Sequence, residues 1–253
     1  MRGSDWFVIR TSPEPRTCRL ICVPNAGSGV FAFRGWPEAL PDIEVVIAHL
    51  PGRDGRREIP QPESLHAIAG ALAAASDDLR VLPTIIFGHS MGALIALELA
   101  RELTRKGRAP AGLIASGRRA PSTIARFENI GHLPDREFLD AVQQRYGGIP
   151  AQVLEDEDLR ALFVPTLRAD MRLVESYVST ANKPLSCPIV AYGGDGDPQT
   201  SRDELEEWRG QTTGPFGVRV FSGGHFFVET AREAVFSAVR ADVGRALRDR
   251  VSG

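Results

Sequence analysis

The chain has 253 residues, of which 43% are hydrophobic and 25% charged, and its formal net charge is -2. That length suits one large α/β domain, and the composition excludes a disordered, fibrous or disulfide-stapled chain. Mixed charge near neutrality gives no electrostatic drive toward nucleic acid or an anionic membrane. No apolar run reaches the roughly 20 residues that span a bilayer.

The N-terminal stretch "MRGSDWFVIRTSPEPRT" carries neither an apolar signal core nor a cleavage pattern, so a cytoplasmic location is expected. "RLICVPNAGSG", residues 19–29, is a short apolar run ending in turn residues, which predicts a buried strand feeding a loop. "IEVVIAHLPGRDGR" repeats the pattern with a strand over residues 43–48 and a Pro/Gly loop. "SLHAIAGALAAA" has helical periodicity. "TIIFGHS" is another buried strand, and "ALIALELARELTRKG" a helix with Arg105 and Lys106 in its last turn and Gly107 as its stop. "AGLIASG" and "PIVAYGGDGDP" read as further buried strands, "GVRVFSGGHFFV" as a last strand entering a loop, and "ETAREAVFSAVRADVGRALRDRV" as a closing amphipathic helix.

Continuously apolar strands separated by helices imply a mostly parallel sheet covered on both faces. The rhythm breaks over residues 121–183, where only helical pieces such as "DREFLDAVQQRYGG" and "EDEDLRALFVPTLRADMRLVESYV" occur. A short crossover would suffice there, so this span is expected to be a helical lid inserted in one domain spanning residues 1–253. Cys18, Cys22 and Cys187 are odd in number and widely spaced. They form no disulfide framework or zinc pattern and are expected as small buried residues in a reducing compartment.

The chemistry concentrates in Gly88-His89-Ser90-Met91-Gly92. G-x-S-x-G alone is a weak pattern, but here a strand over residues 84–87 precedes it and a helix over residues 93–103 follows, as a nucleophile elbow requires. A serine hydroxyl needs a base to take its proton, and the base needs an orienting carboxylate. In this architecture they follow in the order Ser, acid, His. Two histidines follow Ser90: His132, inside the expected lid, and His225, after the last strand and behind Gly223 and Gly224. His225 is therefore the expected base, while His49, His66 and His89 are expected to be structural. Asp195 and Asp197 both end a buried strand and both suit a turn; geometry inferred from sequence does not separate them. An oxyanion hole needs backbone N–H donors. Met91 at the helix start supplies one, and the loop "PNAGSG" supplies the other, most naturally at Ala26.

Taken together and in order, "VPNAGSGVFAFRGW", "LPGRDGRREIP", "GHSMGALIALELARELTRKG", "LRADMRLVESY", "YGGDGDP" and "GGHFFV" resemble the type II thioesterases of polyketide and nonribosomal peptide assembly lines, a branch of the α/β-hydrolase superfamily. The resemblance runs from about residue 19 to the end. The early Pro-x-Ala-Gly loop, the Pro-Gly-Arg segment and "LRAD" are its specific parts. It implies hydrolysis of acyl thioesters on the phosphopantetheine arm of an acyl or peptidyl carrier protein, clearing aberrant or stalled intermediates through an acyl-Ser90 ester. It implies the triad Ser90, Asp197 and His225, oxyanion donors Ala26 and Met91, and no metal or redox cofactor. One departure is Ser28, where the family usually has a second glycine. The absence of an attached synthase module fits a free-standing enzyme, expected as a monomer.

Apolar residues of the expected lid, Phe127, Leu133, Phe138, Leu162, Phe163, Leu167, Met171 and Tyr177, are candidates to line an acyl chamber, although apolar helix faces usually pack against a core. Arg53, Arg56, Arg57, Arg118 and Arg119 are candidates to meet an acidic carrier or the pantetheine phosphate, and are otherwise expected as solvated surface residues. The alternatives on the same scaffold are an esterase, amidase or acyltransferase, or a hydrolase-fold binding protein without activity.

Overall fold

A computed structural model describes residues 5–10, 16–79, 81–122, 129–180 and 183–251. The strands are β1 (Phe7–Arg10), β2 (Cys18–Val23), β3 (Ile43–Ala48), β4 (Thr84–His89), β5 (Gly112–Ser116), β6 (Ile189–Gly194) and β7 (Phe216–Phe221). They form one sheet in the order β1-β3-β2-β4-β5-β6-β7. Only β1 runs antiparallel, pairing with β3 from Phe7↔Ala48 to Arg10↔Val45. The architecture is an α/β-hydrolase fold, as the sequence predicts.

The helices are α1 (Trp36–Ala39), α2 (Leu65–Ala75), α3 (Met91–Arg105), α4 (Asp135–Tyr146), α5 (Ala151–Glu155), α6 (Glu157–Glu175), α7 (Arg202–Glu206), α8 (Phe227–Thr230) and α9 (Arg232–Val251). Successive strand residues alternate between two cores, because side chains alternate across a sheet. Ile21, Val46, Ile86 and Leu113 face α2 and α3, whereas Leu20, Val45, Phe87 and Ile114 face α1 and α9. Both faces are covered, which is why these strands read as unbroken apolar runs rather than alternating ones. On the second face Trp36, Phe33, Phe87 and Phe236 meet edge to face or tilted, with ring centroids 4.8–6.0 Å apart. Cys18, Cys22 and Cys187 are free and buried in these cores. Among the described residues no helix is long and apolar enough to cross a membrane.

Between β5 and β6 the regular elements of the described chain are the helices α4, α5 and α6, with loops between them and one isolated bridge at Leu185. Residues 123–128 and 181–182 of that span, with the candidate Phe127, lie outside the described residues. The helices carry a third core of Phe138, Leu139, Val142, Leu167 and Met171, against which Ala26 packs. Helix α6 lies over the loops that follow β2 and β3. Leu167 is so close to Gly27 that a Cβ there would approach its Cδ1 to 3.0 Å, and the Thr166 hydroxyl donates to Gly52 O at 2.7 Å.

Candidate active site

The turn from β4 into α3 is built by two glycines and one strained residue. A Cβ on Gly88 would lie 2.0 Å from Gly92 O, and one on Gly92 would lie 2.2 Å from Val23 O. Only glycine lets strand and helix backbones approach this closely. Between them Ser90 sits at φ 55°, ψ −115°, a conformation that is unfavourable for a residue with a side chain and that thrusts Oγ out of the turn. Its N–H donates to Ser116 O on the neighbouring strand at 2.8 Å, which helps hold the turn. Gly92→Ala should therefore lower stability by about 3 kcal/mol, measured as a shift in the denaturant midpoint, and should disturb the loop after β2 that Val23 leads into.

The loop after β7 brings His225 to this serine. His225 Nε2 is 2.9 Å from Ser90 Oγ, and Nδ1 is 2.8 Å from Asp197 Oδ2. All three residues are buried. Asp197 is held in turn, with Oδ1 accepting from Gln199 N at 2.9 Å and Oδ2 from the Thr200 hydroxyl at 3.0 Å. Asp195, the other candidate, is exposed and accepts from Gly223 N at 2.9 Å. It braces the glycine loop ahead of His225 without touching the imidazole. His132 is exposed in the turn ahead of α4.

His89, Tyr146 and Phe226 surround the His225 ring, with centroids at 5.2, 5.0 and 5.3 Å. His89 Nδ1 is 3.0 Å from Ser116 Oγ, so His89 has a structural partner of its own. Burial pushes the His89 imidazole well below its usual range, and the adjacent His225 lowers it further. An unfolded histidine takes up a proton near pH 6.5 that folded His89 refuses, so stability should fall as pH drops below about 6.5. In wild type, thermal melts between pH 7.5 and 5 should show this acid loss, and His89→Gln should reduce it by up to about 1.4 kcal/mol per pH unit.

Asn25, Ala26 and Ser28 line the same chamber as Ser90, Met91 and His225. In their loop the Gly27 N–H donates to Asp170 Oδ2 at 2.7 Å and the Ser28 N–H to Asn25 O at 3.2 Å. Among the described residues the Ala26 N–H has no such partner. Met91 is the first residue of α3, where backbone N–H groups have no partner within the helix and the dipole favours negative charge. Both residues line the chamber beside Ser90.

The chamber encloses about 530 Å³. Of the candidates, Phe163, Leu167 and Met171 line it. Leu133 and Phe138 instead pack within the helical segment, Leu162 is 52% exposed, and Tyr177 borders a second cavity. The arginines also divide. Arg57 is exposed, and Arg56 hydrogen-bonds His49 O while covering the Trp6 ring. Arg53 is 5% exposed and forms a two-pronged pair with Asp170, each contact 2.7 Å. It is not a solvated surface residue. Sequence reading missed Asp170, whose partners lie more than a hundred residues away.

The fold, with this serine–imidazole–carboxylate arrangement at its sheet edge, defines a hydrolase of the α/β-hydrolase class. Residues 18–243 match the thioesterase-domain family, and the chain belongs to it. It is a thioester hydrolase. A probable cadicidin biosynthesis thioesterase of Streptomyces griseus is 41% identical over 92% of this chain, which spans 64% of that protein. The chain superposes on RedJ, a thioesterase from the prodiginine biosynthetic pathway of Streptomyces coelicolor, with a TM-score of 0.84 and 35% identity, covering 90% of this chain and 91% of that one. BorB, the type II thioesterase of the borrelidin biosynthetic cluster, gives a TM-score of 0.86 at 32% identity, with 95% and 98% covered.

Proposed function

We propose that this enzyme hydrolyses acyl groups from the phosphopantetheine arm of acyl or peptidyl carrier proteins, removing aberrant or stalled intermediates during polyketide or nonribosomal peptide synthesis. The observation that carries the reading is the unbroken Ser90–His225–Asp197 hydrogen-bond chain opening into a largely apolar chamber beneath α6. The biosynthetic thioesterases to which the chain is similar support the substrate class.

In this mechanism His225 Nε2 takes the Ser90 proton as Oγ attacks the thioester carbonyl. Asp197 fixes the tautomer with its hydrogen bond to Nδ1 and stabilises the imidazolium. The Ala26 and Met91 N–H groups hold the oxyanion; one such donor is worth roughly 3–4 kcal/mol of barrier. The oxyanion collapses, and the pantetheine thiolate departs with the proton from His225. His225 then deprotonates a water that attacks the acyl-Ser90 ester, and a second collapse frees the acid and the serine. Residues 121–183 act as the lid over this chamber, with Phe163, Leu167 and Met171 against the acyl chain.

The test is intact mass spectrometry of a panel of acylated carrier proteins before and after exposure to the enzyme. Conversion to the free phosphopantetheinyl form is the expected result. Faster turnover of an oxygen ester than of the thioester with the same acyl group would sink the reading.

A further inference from the structure

Behind the catalytic chamber lies a second cavity of about 140 Å³. The two share a wall of Arg118, Tyr146, Met171 and Val174. Arg118 is the charged member of that wall. Its backbone is fixed from both sides: Gly117 at φ 60° donates its N–H to Tyr192 O at 2.9 Å, and the buried Trp208 Nε1–H donates to Arg118 O at 2.7 Å.

The neighbouring carboxylates are already engaged. Glu175 accepts from the backbone N–H groups of Ile130 and Gly131, Glu204 lies 3.7 Å from Arg119, and Glu98 pairs with Arg101 and the Tyr177 hydroxyl. Glu229, the other charged residue of the chamber wall, lies on α8 and does not border the second cavity. Around the Arg118 guanidinium stand the Tyr146 and Tyr177 phenols and Arg119. Among the described residues no carboxylate pairs with it. Arg118 is half-buried, and desolvation pulls its pKa down, as for a cation partly withdrawn from water with no carboxylate beside it.

We propose that Arg118 is a receptor for an oxyanion of the substrate, so that an acyl chain ending in a carboxylate reaches from Ser90 to this wall and completes the missing pair. A planar guanidinium offers two parallel donors to such a group. The position favours the acyl end of the substrate over the pantetheine phosphate, since the phosphate is an arm's length from the thioester carbon and Arg118 shares the chamber of Ser90. The proposal rests on the reading of that chamber as an acyl-thioester site.

The experiment compares glutaryl with the isosteric 5-methylhexanoyl group, each as its N-acetylcysteamine thioester, in wild type, Arg118→Met and Arg118→Lys. The ratio of kcat/KM for glutaryl over 5-methylhexanoyl should fall about 10- to 100-fold in Arg118→Met, with partial recovery in Arg118→Lys. A parallel arm sets 5-methylhexanoyl phosphopantetheine against its N-acetylcysteamine counterpart. If that ratio falls instead, the bound oxyanion is the phosphate. If neither ratio moves, Arg118 only supports the fold and the proposal is overturned. Should Arg118→Met not fold, inhibition of the wild type by 5-oxohexanoate and the isosteric 6-methylheptan-2-one, which keep a ketone at the Ser90 end, reads the same preference, and equal inhibition overturns it. Failure to hydrolyse any of these thioesters would instead sink the functional reading itself.

Discussion

Ser90→Ala is expected to abolish thioester hydrolysis, with kcat falling about 10⁶-fold where the triad acts as a unit, while the protein stays folded. Ser90 Oγ has His225 Nε2 as its hydrogen-bond partner, and the backbone strain at φ 55° is one that alanine shares with serine. Loss of the hydroxyl therefore removes the attacking atom without opening a cavity of consequence. The variant should resist labelling by a fluorophosphonate that modifies the wild type, and its melting temperature should stay within a few degrees of wild type. Asp197→Asn should cost about 10⁴-fold, because an amide in place of Oδ2 mismatches the Nδ1–H tautomer. The Ser90→Ala, His225→Ala double variant should be little worse than either single one. Hydrolysis by Ser90→Ala above about one per cent of wild type would remove Ser90 from the mechanism.

The parts of this site that were legible in sequence are those whose constraints are local. A tight strand-to-helix turn writes itself as Gly88-x-Ser90-x-Gly92, because two backbones that nearly touch admit no Cβ. His225 stood out through chain order and its flanking glycines. Residue chemistry alone left Asp195 and Asp197 inseparable because both suit a turn, and only the family resemblance pointed to Asp197; burial and one hydrogen bond to His225 distinguish them, and neither is visible in a six-residue window. Strand β1 escaped detection for a related reason. It is a four-residue antiparallel edge strand with only Phe7 fully buried, so no continuous apolar run marks it. Arg53 was misread because arginine in a Pro/Gly loop is normally solvated, and only a partner 117 residues away makes it a buried ion pair.

That partner leads to the second large effect, which is expected from Asp170→Asn. Asp170 is fully buried on α6 and accepts from Gly27 N, Arg53 Nη1, Arg53 Nη2 and Gln61 Nε2 at 2.7–2.9 Å. The carboxylate thus ties the proposed lid to the loop that presents Ala26, one residue from Gly27. Arg53 reinforces the tie by donating to Ser28 O at 3.0 Å. An amide can satisfy only part of this donor set, and the Arg53 guanidinium would remain buried without its anion. Stability should fall by about 3–5 kcal/mol, read from denaturant unfolding. Under conditions where the variant is still folded, kcat should fall about 10²- to 10³-fold, as when one oxyanion donor is displaced, with a much smaller change in KM. Replacing both partners separates the two effects. In an Arg53→Met, Asp170→Leu variant the buried charges are gone together, so much of the stability should return. The Gly27 N–H would still lack its acceptor, so kcat should stay low. Recovery of kcat along with stability would mean that Asp170 merely holds the fold and that the oxyanion loop keeps its geometry without it.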